Sequence, residues 1–175
     1  MTELFNNYGH LMVFLHVLSA FIWVGGMIAI RVAVHPVIQR GGVTEKEMLQ
    51  SDVMSSMLVP KQRLGITLQI TGRLFNLVMP FIAILFATGL MMAIATGGHH
   101  GDLKSLFISK EIIWIIMAVN YTYMYLQRNK AWRLFSEGEV ALAKAQLSWI
   151  PNVLLPLNIV LGLVALWMGV SLRGL

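Results

Sequence analysis

The sequence predicts an all-α integral membrane protein, an antiparallel four-helix bundle with amphipathic helices in its cytoplasmic loops. Three observations carry this. The 175 residues are 57% hydrophobic and only 12% charged, with mean hydropathy +0.72, far from a soluble domain. Four segments, about 10–36, 74–96, 105–127 and 150–172, are each long enough to cross a hydrocarbon core of about 30 Å. The basic residues collect in two of the three connections between them. No composition shift or internal repeat divides the chain, so 1–175 reads as a single transmembrane domain.

Span one opens after MTELFNNYGH, which lacks a basic stretch. Its apolar run is long and has no small-residue cleavage pattern, so it reads as a retained helix. The connection to span two starts at Gly41-Gly42, a helix stop. Thr44 with Glu47 three residues on resembles a capping box, so a short amphipathic helix is expected there. The second connection, TGGHHGDLKS, is short and glycine-rich. The third, RNKAWRLFSEGEVALAKAQLSW, reads as an interfacial helix with Trp132 and Trp149 at headgroup level.

Orientation follows from charge. The first connection and its flanks carry Arg31, Arg40, Lys46, Lys61, Arg63 and Arg73; the third carries Arg128, Lys130, Arg133 and Lys144. The N-terminus carries none, the second connection only Lys104, and the C-terminus only Arg173. Positive residues stay inside, so both long connections are cytoplasmic and both termini periplasmic, in a bacterial inner membrane. The net charge of +5 suits anionic headgroups, not nucleic acid. The chain has no cysteine, which excludes disulfides, iron–sulfur clusters, thiolate-ligated haem and covalent c-type haem.

The informative residue is His16. It is the one strongly polar ionisable group between Leu11 and Ile30, and an ionisable group at bilayer depth is costly and normally partnered. His10 sits near the outer boundary, and His16 lies six residues, roughly 9 Å, deeper. The small Ser19 and Ala20 lie beside it, with Trp23 and Met27 further along. Such a patch leaves room for something flat. Ile112 to Leu126 is too short to cross alone, so span three must draw in Lys110 and Glu111. Lys110 then reaches the depth of His16, and its face continues through Trp114, Met117, Tyr121 and Met124. At the inner end Arg31, His35, Arg73, Asn76 and Gln127 gather at one depth. Asn158, Gly162, Ala165 and Gly169 form a close-contact stripe on span four.

Plainer roles stand beside these. His16 is either a ligand or a histidine hydrogen-bonded to a neighbouring helix. Lys110 either faces the interior or snorkels outward. Arg31, Arg63 and Arg73 read first as topology anchors, and His35-Pro36 as a helix end. His99 and His100 are either a polar loop tip or metal ligands. The 12 methionines are scattered as gap-fillers and form no ladder for Cu(I).

Residues 15–38, LHVLSAFIWVGGMIAIRVAVHPVI, resemble the first helix of the CopD superfamily. That group includes CopD-type copper-resistance membrane domains and HemJ-type protoporphyrinogen oxidases. His16, Trp23 and Gly26 match the shared helical pattern. Arg73, Leu74, Phe75, Pro80 and Gly89 resemble the HemJ second helix, and LFISKEIIW resembles the start of the third, with its lysine at Lys110. WVGGM followed by His35-Pro36 is closer to the CopD-type members. The resemblance implies b-type haem for one branch and copper handling for the other.

The expected function is therefore a b-haem-binding membrane protein with a redox role, of the protoporphyrinogen-oxidising type. His16, Ser19, Ala20, Trp23, Lys110, Trp114 and Met117 would bind the cofactor. The propionates would point outward, toward Lys104, Lys110, His10 or the His99–His100 loop, because Arg31 lies roughly 20 Å below His16 by helix rise. The rival is copper transport, with metal ligands His10, His99, His100 and His16; a third is a non-catalytic assembly subunit. The expected partners are the lipid bilayer, a porphyrin substrate or redox partner, and a second copy of the chain, with no nucleic acid.

Overall fold

The computed structural model describes residues 2–34, 60–98 and 104–171. Helix α1 (Thr2–Ala29) widens at its end into a π-helical turn, Ile30–Val34. Helix α2 covers Pro60–Ala95 and α3 covers Lys104–Ser136. The short α4 (Val140–Leu147) follows. A second π-helical turn, Ile150–Leu154, then leads into α5, Leu155–Ser171. Among the described residues four helical stretches, the last of them Val140–Ser171, are long and apolar enough to cross a membrane. Neighbours pack as a bundle, with α1 against α2, α2 against α3, and α5 against both α3 and α1.

The boundaries differ from the sequence reading in three places. Helix α1 begins at Thr2, not 10. Helix α2 begins at Pro60, not 74, because KQRLGITLQITGR is compatible with helix even where it is too polar to lie in hydrocarbon. The third connection is helical but divided. Its first part prolongs α3 to Ser136, and α4 turns back against α3. Gly138, with φ +91°, makes that reversal. Its N–H donates to Phe135 O, and Glu139 N–H donates to Leu134 O, the paired bonds that close a helix around a left-handed glycine. Gly97 (φ +64°) ends α2 the same way, with Gly98 N–H donating to Ala93 O at 2.9 Å. The expected amphipathic helix of the first connection, with Gly41, Gly42, Thr44 and Glu47, lies outside the described residues.

Burial is distributed as for a lipid-facing protein. Phe21 and Trp167 are 71% and 75% exposed, whereas Ser19 and Asn158 are 1% and 0% exposed. Apolar groups face outward and polar ones lie inside. The interior is built on Trp23, Met27, Phe75, Tyr121, Met124 and Leu155. Tyr121 sits edge-on to Trp23 at 6.1 Å and donates its hydroxyl to Phe75 O. Between α3 and α5, Asn120 Nδ2 donates to Asn158 Oδ1 and Leu154 O, both at 2.8 Å. Asn158 Nδ2 returns a bond to Met117 O at 3.2 Å. Pro151 and Pro156 remove backbone donors around this widened turn, and Asn120 ties its last carbonyl, Leu154 O, to α3.

Gly162 allows α5 to approach α1. A Cβ there would stand 2.6 Å from Val24 Cγ2, a buried and stiff side chain. Gly25 has nothing within 4 Å of its would-be Cβ. Gly162→Ala should therefore destabilise the bundle by about 1–3 kcal/mol through overpacking, while Gly25→Ala should be nearly silent. Thermal unfolding of the two variants in one detergent checks this, and equal midpoints would contradict the packing.

Candidate functional site

His16 is half-buried and faces α2. Its Nδ1 lies 3.0 Å from Thr88 Oγ1. The Thr88 hydroxyl has one proton, and the Ile84 carbonyl, at 2.7 Å, takes it. With its proton on the Ile84 or Leu85 carbonyl, Thr88 Oγ1 is free to accept from His16 Nδ1–H, the neutral tautomer that leaves a lone pair on Nε2. A threonine back-bonded to its own helix is a rigid acceptor, so the imidazole is aimed as well as protonated on a chosen side. Gly89 makes the approach possible, since a Cβ there would stand 3.2 Å from His16 Cε1.

Three polar atoms in this part of the chain are buried without a hydrogen-bond partner: Ser19 Oγ, Trp23 Nε1 and Trp114 Nε1. Each such atom costs about 1–3 kcal/mol if nothing meets it. Ser19 lies on α1 three residues beyond His16, with Ala20 half-buried beside it. Trp114 stacks on Phe86 of α2, with ring centroids 4.5 Å apart. Trp23 is nearly fully buried but packs on Tyr121, inside the apolar core. Met117 is also buried, and its Cε lies 3.3 Å from where a Gly162 Cβ would be.

Lys110 is half-buried and reaches across to α5. Its Nζ lies 3.2 Å from the position a Gly169 Cβ would take, so its amine stands between α3 and α5, in the half of the bundle that holds the His16–Thr88 pair. Small residues on three helices border this zone: Ser19 on α1, Gly89 on α2 and Gly169 on α5.

The remaining expected site residues are placed elsewhere. His10 is exposed, about one and two-thirds turns before His16 on α1. His35, His99 and His100 lie outside the described residues. Among the described residues no three His, Cys, Asp or Glu side chains come together to hold a metal ion. Arg73 is exposed and Arg31 half-buried. Arg128, read from the sequence as a topology charge, is a helix clamp. Its Nε and Nη2 donate to Leu68 O at 2.9 and 2.5 Å, and its guanidinium lies 5.3 Å from the Trp132 ring centroid. Gly72 makes room for it, since a Cβ there would overlap the guanidinium at 1.9 Å.

Thr88, the partner of His16, is the candidate site residue that sequence reasoning passed over. Its signal is a hydroxyl beside Gly89 in an otherwise apolar stretch, at a depth that an antiparallel neighbour of His16 would share. No protein-family model matches this chain, and comparisons with curated proteins and with solved structures find no match.

Proposed function

We propose that the protein binds b-type haem in the bacterial inner membrane, with His16 as an axial ligand, and serves a redox reaction of the protoporphyrinogen-oxidising type. The observation that carries this reading is the contact between His16 Nδ1 and Thr88 Oγ1, which supports the tautomer with a lone pair on Nε2. A metal-ligating histidine normally gives its other N–H to such an acceptor. The surroundings also fit a planar, partly polar group: the unpartnered Ser19 Oγ and Trp114 Nε1, and one half-buried lysine, Lys110.

When bound, haem supplies a one-electron centre whose potential is set by axial ligation and burial. The chain's own residues then do four things. His16 holds the metal through Nε2. Thr88 keeps the ring from turning and keeps its proton on Nδ1. Lys110 offers a positive charge to carboxylates of the cofactor or of a porphyrin substrate. Trp114 and Phe86 form a stacked aromatic wall, and their bulk keeps water from the interior. The excess of basic residues in the first and third connections supports periplasmic termini, which puts His16 and Lys110 in the outer half of the membrane.

The test is composition. Detergent-purified protein should carry on the order of one haem per chain by pyridine haemochrome assay, as one axial histidine implies. Copper, measured on the same preparation, should be far below stoichiometric. A colourless protein with stoichiometric copper would replace this reading by the copper-transport one.

A further inference from the structure

A second site lies at the other, basic end of the bundle, where α4 folds back over α3. A cavity of about 460 Å³ opens there. One wall is a single stripe of α3: Tyr123, Gln127, Lys130 and Leu134. The other comes from α4 and the turn after it, including Gln146 and Trp149. The stripe continues toward the middle of the membrane as a second hollow of about 370 Å³, which shares Tyr123 and reaches Val119. Val119, Leu126 and Trp149 are 65%, 60% and 66% exposed, so both hollows open toward lipid.

Polarity changes along this path. At the mouth, Gln146 donates to Gln127 Oε1. That bond occupies the Gln127 oxygen and leaves its amide N–H groups as donors. The cations nearby are differently committed. Arg128 is tied to Leu68 O, and Arg133 lies 3.8 Å from Glu137. Lys130 lines the cavity and has no carboxylate partner among the described residues. From Lys130 to Val119 is 11 residues, roughly 16 Å along a helix. That is about the depth of one leaflet of a hydrocarbon core of about 30 Å. A charged, donor-rich mouth followed by one leaflet's depth of apolar groove matches a phospholipid in shape and in charge.

The geometry points to a specific binding site for one anionic glycerophospholipid, with its phosphate at Lys130 and Gln127 and an acyl chain along Tyr123, Leu126 and Val119. The site is independent of the cofactor.

The experiment uses the full chain, delipidated in detergent and titrated with dioleoyl-phosphatidylglycerol or dioleoyl-phosphatidylcholine, with bound lipid counted by native mass spectrometry. Phosphatidylglycerol should be held about fivefold more tightly, the ratio one lysine facing an anionic headgroup supplies. Lys130→Gln should erase that preference. Ala145→Trp, which fills the cavity from an exposed position of α4, should lower binding of both lipids. Lys61→Gln removes a charge outside the groove and should change nothing. Equal retention of the two lipids would overturn the proposal. So would an unchanged Ala145→Trp variant, or a Lys61→Gln effect as large as that of Lys130→Gln. Displacement of the lipid by inorganic phosphate would mean a phosphate site instead, and would also overturn it.

Discussion

His16→Ala should retain less than about a tenth of the haem bound by the unaltered protein while inserting and folding normally. Loss of a residue that merely supports a metal ligand already lowers metal affinity by about 10–100-fold, so loss of the ligand itself should do at least as much. Folding is expected to survive because Thr88 keeps its bond to the Ile84 carbonyl when the imidazole is gone. His16 is also only half-buried, so truncation opens no large void in the core around Trp23 and Phe75. The check is the Soret absorbance per protein, together with helix content and monodispersity of the variant. Full retention would remove His16 from the site.

Thr88→Val should weaken haem binding by about 10–100-fold with little change in thermal stability. Valine keeps the volume and branching of threonine but offers no acceptor to Nδ1. The Ile84 carbonyl is not stranded, because it lies within α2 and has the helix's own donors. The loss therefore falls on the imidazole, whose N–H is left without its partner and whose ring is free to turn. Thr88→Ser restores the acceptor and should restore most of the affinity. A Thr88→Val protein that binds haem as the unaltered chain does would mean the hydrogen bond does not orient a ligand.

The four spans were legible because hydrocarbon imposes a length and an apolarity that few other environments do. The burial of His16, Asn158 and Gly162 followed from the same logic of depth and small-residue spacing. Helix continuity was less legible. The polar start of α2 and the polar end of α3 are helical because propensity, not hydropathy, governs residues beyond the bilayer, and span length says nothing about them. The pairing of His16 with Thr88 depends on the register of two antiparallel helices joined by a long connection, and no periodicity within either helix fixes that register. The contacts of Arg128 were hidden for a related reason. A basic residue at a span end looks like any topology anchor until the glycine opposite it, Gly72, is known to receive it. The direction of the Trp23 ring toward Tyr121 was not legible, because it depends on how α1 and α3 cross.

The central claim is that His16 supplies an imidazole to a haem iron. It is tested most directly in His16→Gly protein, by adding free imidazole to the apo variant with haem and recording the spectrum before and after dithionite. The account predicts little Soret absorbance without imidazole and recovery of most of it with imidazole, with reduced-state bands resembling those of the unaltered protein. A His16→Gly variant that binds haem fully without imidazole, or a folded variant that imidazole does not rescue, would contradict it.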